Sequence, residues 1–170
     1  MNVEQFVPSA VCLSCDGCCR FKEEDSAWRP KITQDEIKRK GKPDLLSEIY
    51  SKDKIDTTGH IKTVCRAGHH FCSFFTPEDN TCSVYGARPF ECELYPFVLT
   101  KREGKTVVTV HHHCPFVQIK RKSTEFDNYV EYLKEFFKKK DVLEFIRMNP
   151  ILAGDYPDYT EELEYLFTVL

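Results

Sequence analysis

Four cysteines lie within eight residues near the start of the chain, in the run Cys12-Leu-Ser-Cys15-Asp-Gly-Cys18-Cys19. Cysteines two residues apart around a tight Asp-Gly turn bring their thiolates to one point in space, as a metal ion or cluster requires. Packing alone would not require so many thiols in so short a segment. We call this segment, Cys12–Cys19, the cysteine knuckle, and it predicts a metal site around which the chain folds.

The composition limits the classes of protein to which the chain can belong. With 170 residues, 41% of them hydrophobic and 30% charged, it fits one soluble globular domain. A net charge of −3 argues against nucleic-acid binding. We find no secretory signal and no run of about 18 apolar residues that would span a membrane. We therefore expect a cytoplasmic protein, in which nine reduced cysteines point to metal binding or redox chemistry and not to a disulfide framework.

The hydrophobic pattern predicts an α+β fold with a small cysteine-rich metal-binding core of short strands and hairpins, flanking helices, and a C-terminal helix followed by a tail. Thr33-Gln-Asp-Glu36 is typical of a capping box that begins a helix. The predicted elements are a helix from this box to the stop at 41–43, a short helix at 44–50, strands at 61–65 and 71–75 joined through Gly68, a helical turn at 89–94, a hairpin of 97–100 with 106–111, and helices at 123–140 and 141–148.

The chain end has two possible roles. We predict that residues 1–148 form a single cysteine-cluster metal-binding domain and that residues 149–170 form an extension. The aromatic residues of this extension lack periodicity, and tyrosine is favoured at interfaces, so it is a candidate docking arm for a partner protein. The alternative is a tail that folds back on its own core.

The later cysteines supply partners for the knuckle. Cys72, Cys82 and Cys92 recur at ten-residue intervals through a turn-rich region, and Cys114-Pro115 resembles the distal Cys-Pro of bacterial cluster motifs. Because adjacent residues of an extended chain point in different directions, we expect Cys18 and Cys19 to serve different sites. The predicted ligands are Cys12, Cys15, Cys18, Cys19, Cys72, Cys82, Cys92 and Cys114. They suffice for two four-thiolate sites, or for one cluster with a separate zinc or redox pair, and Cys65 is left out as a buried thiol.

Both zinc and iron–sulfur clusters accept four thiolates. One compact run with scattered partners favours a cluster over the paired CxxC knuckles of structural zinc sites. In the run His111-His-His113, the first and third residues share one face of a strand and are candidate zinc ligands. Exposed imidazoles at the end of a strand are the simpler interpretation.

Several motifs together resemble one family. They are the cysteine knuckle, Cys72-Ser-Phe-Phe, Cys82-Ser-Val-Tyr and Arg88-Pro-Phe-Glu-Cys92-Glu-Leu-Tyr95-Pro96-Phe97. In this combination the chain resembles the CxxCxxCC cysteine-cluster family of zinc- or iron-chelating proteins, which includes flagellin lysine N-methylase. The resemblance implies that the eight cysteines bind metal, as an iron–sulfur cluster of the 4Fe-4S type or, alternatively, as zinc. It also implies a structural role for Tyr85, Arg88 and Tyr95.

The activity of the methylase relatives does not carry over. Glu93 stands where the family pattern often has a basic residue, and we find no glycine-rich nucleotide or S-adenosylmethionine loop. We find no carboxylate or serine constellation that indicates catalysis, so the sequence favours a non-enzyme. We therefore predict a redox- or oxygen-responsive iron–sulfur module that binds and regulates a partner protein. The alternatives are a structural zinc protein and an electron-transfer or methylase-related enzyme component.

Overall fold

A computed structural model describes residues 3–15, 17–39 and 43–170, and its mixture of helices and antiparallel sheets confirms the predicted α+β class. The chain forms two compact units. Pro8–Glu93 makes up the first unit, and Val3–Val7 joins Leu94–Leu170 in the second. Within the described ranges, no helix is both long enough and apolar enough to cross a membrane.

The first unit combines short helices with short antiparallel strands. Its helices are α1 (Ser9–Cys12), α2 (Gln34–Arg39), α3 (Pro43–Ile49) and α4 (Phe90–Leu94), with 3₁₀ turns at Gly17–Cys19 and Tyr85–Ala87. Its strands are β1 (Arg20–Phe21), β2 (Thr63–Arg66), β3 (His69–Cys72), β4 (Phe75–Thr76) and β5 (Thr81–Cys82). β3 lies between β1 and β2, and β4 pairs with β5. The predicted hairpin through Gly68 is confirmed, and Ala67 and Gly68 both have the positive φ that its two-residue turn requires.

Helix α2 begins at the predicted capping box. The Thr33 N–H donates to Glu36 Oε2 at 2.9 Å, and the Glu36 N–H donates to Thr33 Oγ1 at 3.2 Å. The second carboxylate oxygen of Glu36 accepts a hydrogen bond from the backbone N–H of Phe90 at 2.6 Å. Glu36 therefore begins one helix and holds the first residue of α4, a distant connection that the local motif does not predict. The predicted stop at 41–43 includes residues 41 and 42, which lie outside the described part of the chain.

An apolar cluster holds the first unit together. Its buried members are Phe21, Ile32, Ile37, Leu46, Tyr50, Ile61, Phe71, Cys72, Phe74, Phe75 and Val84. Cys19 and Cys82 are partly buried against this cluster. Three of the predicted metal ligands are therefore part of the core of the unit.

The second unit contains the predicted hairpin and the predicted long helix. Its strands are β6 (Phe97–Arg102), β7 (Lys105–His111) and β8 (Leu163–Thr168), and its helices are α5 (Pro115–Lys120), α6 (Thr124–Lys138) and α7 (Lys140–Met148), with 3₁₀ turns at Pro150–Leu152 and Pro157–Tyr159. The strands form one antiparallel sheet in the order β6-β7-β8. Helix α6 packs on this sheet, because Phe126 contacts Phe97 and Phe137 contacts Phe167, with ring centroids 5.6 and 6.2 Å apart.

The C-terminal segment folds back onto the second unit, as in the alternative interpretation of the tail. β8 pairs with β7, and the Gly154 N–H donates to the Leu99 carbonyl at 3.1 Å. Leu152 and Leu163 are buried. The structure thus divides the chain differently from the predicted boundary after residue 148, since the pairing between distant strands gives no local signal.

The connection through Glu36 predicts a stability effect. The Glu36 carboxylate accepts hydrogen bonds from the backbone N–H groups of Thr33 and Phe90. In a Glu36→Gln variant, the side-chain NH₂ group would face one of these two donors and could not accept its hydrogen bond. We expect the free energy of unfolding to fall by about 1–3 kcal/mol, because a buried donor is left unsatisfied. Urea unfolding at fixed metal content measures this change. Glu48→Gln, the same substitution at an exposed position of α3, is the control. Equal stability of the two variants would contradict the role of Glu36 in connecting the start of α2 to the start of α4.

Candidate metal centre

The cysteine knuckle is a compact turn. Cys12 ends α1, and the Cys15 N–H donates to the Cys12 carbonyl at 3.2 Å. Cys18 and Cys19 both lie in the 3₁₀ turn, and their thiols are hydrogen bonded to one another. Our assumption of an extended backbone at Cys18 and Cys19 is therefore wrong. The Gly17 N–H donates to Cys15 Sγ at 3.4 Å.

The three later cysteines of the first unit come from three separate elements. Cys72 ends β3, Cys82 ends β5, and Cys92 lies in α4. Cys72 is buried, and the other two are half-buried. Burial, together with the neighbouring Cys82 and Cys18, raises the pKa of Cys72 to about 12. The short hairpins and the helical turn thus bring together thiols that are ten residues apart in sequence.

Cys18 connects the knuckle to these later thiols. It is exposed at the surface, and its negative charge adds to the effect of burial in raising the pKa of several other cysteines. These cysteines are Cys12, Cys72, Cys82 and Cys92. The hydrogen bond between Cys19 and Cys18, burial, and the charges of Cys18, Cys72 and Cys92 raise the pKa of Cys19 strongly. Cys15 contributes to the raised pKa of Cys12.

Seven of the eight predicted ligands are thus each linked electrostatically to at least one other in the first unit. We call this group the thiol cluster, and its members are Cys12, Cys15, Cys18, Cys19, Cys72, Cys82 and Cys92. The eighth, Cys114, belongs to the second unit, where it is buried and directly precedes Pro115, the first residue of α5. Its part in metal binding stays a prediction. Cys65, which we expected to be buried, is exposed on β2.

A buried arginine faces the thiol cluster. Arg88 is 9% exposed, and its Nη1 lies 3.9 Å from Cys12 Sγ. Its guanidinium lies over the Tyr85 ring at 3.8 Å, and its Nε donates to the Tyr85 carbonyl at 3.1 Å. The positive charge opposes the effect of burial on the pKa of Cys12, Cys82 and Cys92. Besides the structural role that the resemblance implies, Arg88 therefore favours the thiolate forms to which metals bind.

Two carboxylates outside the cluster fix the helix that carries Cys92. Glu91 accepts hydrogen bonds from the Lys31 N–H at 2.7 Å and from Lys31 Nζ at 3.1 Å, and Glu36 accepts from the Phe90 N–H. Burial raises the pKa of Glu91, and the charge of Lys31 opposes this shift. Sequence reasoning missed Lys31 and Glu91, because no local spacing links residues so far apart. The capping-box motif predicted the hydrogen bonds that Glu36 makes at the start of its own helix, but it did not predict the bond to Phe90.

The electrostatics of the cluster favour a bound cation. Seven thiolates in one unit would repel one another. Two cations oppose this repulsion, since the charge of Lys54 lowers the pKa of Cys72 and that of Arg88 lowers the pKa of Cys92. Either thiols of the cluster stay protonated, as the raised pKa values of Cys12, Cys72, Cys82 and Cys92 favour, or a metal cation balances their charge. Thiolate sulfur is the ligand that zinc and iron–sulfur clusters share, so the donor set fits either group.

Comparison with known proteins identifies a family. Residues 11–129, more than two thirds of the chain, match the family model CxxCxxCC, whose description reads "Putative zinc- or iron-chelating domain". The matched range includes all eight predicted ligands. Searches among curated proteins and among solved structures found no match to the chain.

The position of Cys18 predicts a large effect on metal content. We expect a Cys18→Ser variant to lose most of its bound metal, because this thiol interacts with more members of the cluster than a peripheral ligand would. Cys65→Ser, which alters an exposed cysteine outside the cluster, should keep the full content. Metal analysis of both variants after identical anaerobic purification makes the comparison. Full metal content in Cys18→Ser would remove this residue from the site.

The raised thiol pKa values predict that metal binding depends on pH. Thiols such as Cys72 are protonated at neutral pH in the metal-free protein, and each must lose its proton to become a ligand. Zinc added to metal-free protein should therefore release protons, and its affinity should fall as the pH falls, by about 10-fold per pH unit for each proton displaced. Calorimetry in buffers with different enthalpies of ionisation counts these protons. Zinc uptake without proton release would mean that the thiols are already ionised.

Proposed function

Because the chain belongs to the CxxCxxCC family of zinc- or iron-chelating domains, it is a metal-binding protein, and we propose that its thiol cluster holds an iron–sulfur cluster. We further propose that the protein responds to oxidation and regulates a partner protein through this response. The observation that carries the proposal is the place of Cys18, an exposed thiol that interacts with buried and half-buried thiols. An oxidant can reach the edge of such a site from solvent.

Two features support iron–sulfur over zinc. The CxxCxxC spacing of the knuckle matches the first three ligands of bacterial cluster motifs. The Gly17 N–H donates to Cys15 Sγ, and Arg88 lies beside Cys12 Sγ. When bound, an iron–sulfur cluster supplies a redox couple whose potential depends on such hydrogen bonds to sulfur, on nearby charge and on exposure. Arg88 and the Gly17 N–H would stabilise the more negative, reduced state.

The thiols themselves account for the response to oxidation. Two neighbouring thiols that have lost their metal can each give up one electron and one proton to dioxygen, which forms a disulfide and hydrogen peroxide. Cys18 and Cys19 are not the expected pair, because adjacent Cα atoms are about 3.8 Å apart, closer than the usual range in disulfides of about 4.4–6.8 Å. We expect Cys18 to pair with a thiol from another part of the cluster.

Metal loss would change the fold of the first unit. The thiol cluster joins the knuckle to cysteines 53 to 80 residues away in sequence. Because the free energy of metal binding contributes directly to folding, the loss of metal weakens this connection. The exposed surface around the knuckle would then differ between the two states, and a partner protein can discriminate between them.

Structural zinc is the second candidate function. The observation in its favour is that Cys72 lies in the apolar core and Cys19 and Cys82 pack against it. Ligands buried in a core are typical of sites whose metal stabilises a fold. In this case the protein would bind its partner equally well in the presence and absence of oxygen.

Anaerobic purification separates these two functions. We expect iron with acid-labile sulfide and a visible absorbance that fades in air, since zinc has a filled d shell and no redox chemistry. Affinity capture with the full chain, before and after exposure to air, should retain different partner proteins, and Cys65→Ser should behave as the parent chain does. Zinc without sulfide, or identical partners in both conditions, would contradict the proposal.

A further inference from the structure

Two histidines and a glutamate converge in the second unit, separately from the residues of the thiol cluster. One ligand atom from each of His111, His113 and Glu162 lies within 4.8 Å of the other two. His111 Nε2 is 3.1 Å from Glu162 Oε2, and His113 Nδ1 is 3.3 Å from the same oxygen. The three side chains thus present two imidazole nitrogens and a carboxylate oxygen to one point.

The pairing of two strands creates this arrangement. His111 is the last residue of β7, and it pairs with Leu163, the first residue of β8. The His112 N–H donates to the Glu162 carbonyl at 3.0 Å, so the pairing continues past the end of both strands. β7 ends at His111, and His112 and His113 lie in the turn that follows, so the predicted strand does not extend over all three histidines. His111 and His113 both approach Glu162, whereas His112 Nε2 lies 3.7 Å from Glu164 Oε2.

One imidazole is held in position by a further residue. The Tyr95 hydroxyl lies 2.9 Å from His111 Nδ1, at hydrogen-bond distance. This contact leaves Nε2, the nitrogen nearest to Glu162, as the ligand atom. Histidines that bind metal commonly make such a hydrogen bond with their second ring nitrogen, because it fixes the tautomer and the orientation of the ring.

We propose that His111, His113 and Glu162 form a second metal site, which binds a single Zn²⁺ ion. Zinc–ligand bonds of about 2.0–2.1 Å in a tetrahedron place the ligand atoms about 3.3 Å apart. This is close to the 3.1 and 3.3 Å that separate Glu162 Oε2 from His111 Nε2 and His113 Nδ1. Two histidines and a glutamate are also a known zinc donor set with an open fourth position. Here that position faces solvent on the side of His113, whose side chain is 65% exposed, so water completes the coordination.

The ligand chemistry separates this site from the thiol cluster. Imidazole and carboxylate donors accept zinc, whereas iron–sulfur clusters are held chiefly by thiolates. A zinc ion at this site therefore adds to the metal of the thiol cluster and does not replace it. The inference holds whether the thiol cluster carries iron–sulfur or zinc, so its test is independent of the proposed function.

Zinc titration of the full chain, purified anaerobically with its thiol cluster loaded, tests this site. We expect equilibrium dialysis followed by metal analysis to show one additional equivalent of zinc in the parent chain. His113→Ala should lose this equivalent and keep the metal of the thiol cluster, and because His113 is exposed the variant should fold normally. His112→Ala, which alters the neighbouring histidine that pairs with Glu164, should bind the additional equivalent as the parent does.

Two results would overturn the proposal. The parent chain would bind no additional zinc if the three side chains form only an ion-paired cluster. Equal zinc binding by the parent and by His113→Ala would place the extra ion elsewhere. Cobalt substitution adds a direct check, since Co²⁺ at this site should show d–d bands without the sulfur-to-metal charge transfer that thiolate ligands produce.

Discussion

Repulsion between neighbouring thiolates is the constraint on which the first unit depends. Its thiol cluster links seven cysteines through pairwise electrostatic effects, and Cys72 is only 8% exposed. Burial raises the pKa of Cys12, Cys72, Cys82 and Cys92 and so favours their protonated forms in the metal-free state, in which no metal joins the segments that carry them. A bound metal cation would reverse this, because it would make the ionised state the favourable one and would tie the knuckle to β3, β5 and α4. Three of the predicted ligands are thus also part of the core.

Polar connections outside the cluster reduce the cost of assembling it. Glu36 and Glu91 hold the start of α4, and Arg88 is fixed by Tyr85 while it faces Cys12. The contacts of Glu36, Glu91 and Tyr85 involve neither sulfur nor metal, so they can form in the metal-free chain. They position Cys92 and Cys12 before metal binds, and less conformational entropy is lost when the ligands close around it.

The sequence predicted the features that local chemistry determines. The capping box at Thr33–Glu36, the turn at Gly68 and the apolar face of α6 each depend on residues a few positions apart, and all three are observed. Pairing over long distances was missed, since nothing near Glu162 or Glu91 in the sequence indicates their partners. The backbone conformation at Cys18 and Cys19 was predicted wrongly for a different reason. Side-chain directions there were inferred for an extended chain, whereas the backbone forms a 3₁₀ turn that brings Cys18 and Cys19 together.

The two units offer different ligand chemistry. The first provides thiolates, which zinc and iron–sulfur clusters both accept, and its selectivity therefore depends on which metal is supplied to the folding chain. The second provides imidazoles and a carboxylate at and just beyond the paired ends of β7 and β8, where these side chains approach one another without a metal. An ion at such a preformed site would exchange without unfolding, whereas loss of metal from the thiol cluster would loosen the core. In the proposed function it is therefore the thiol cluster that would couple metal occupancy to structure, and a regulatory response requires such coupling.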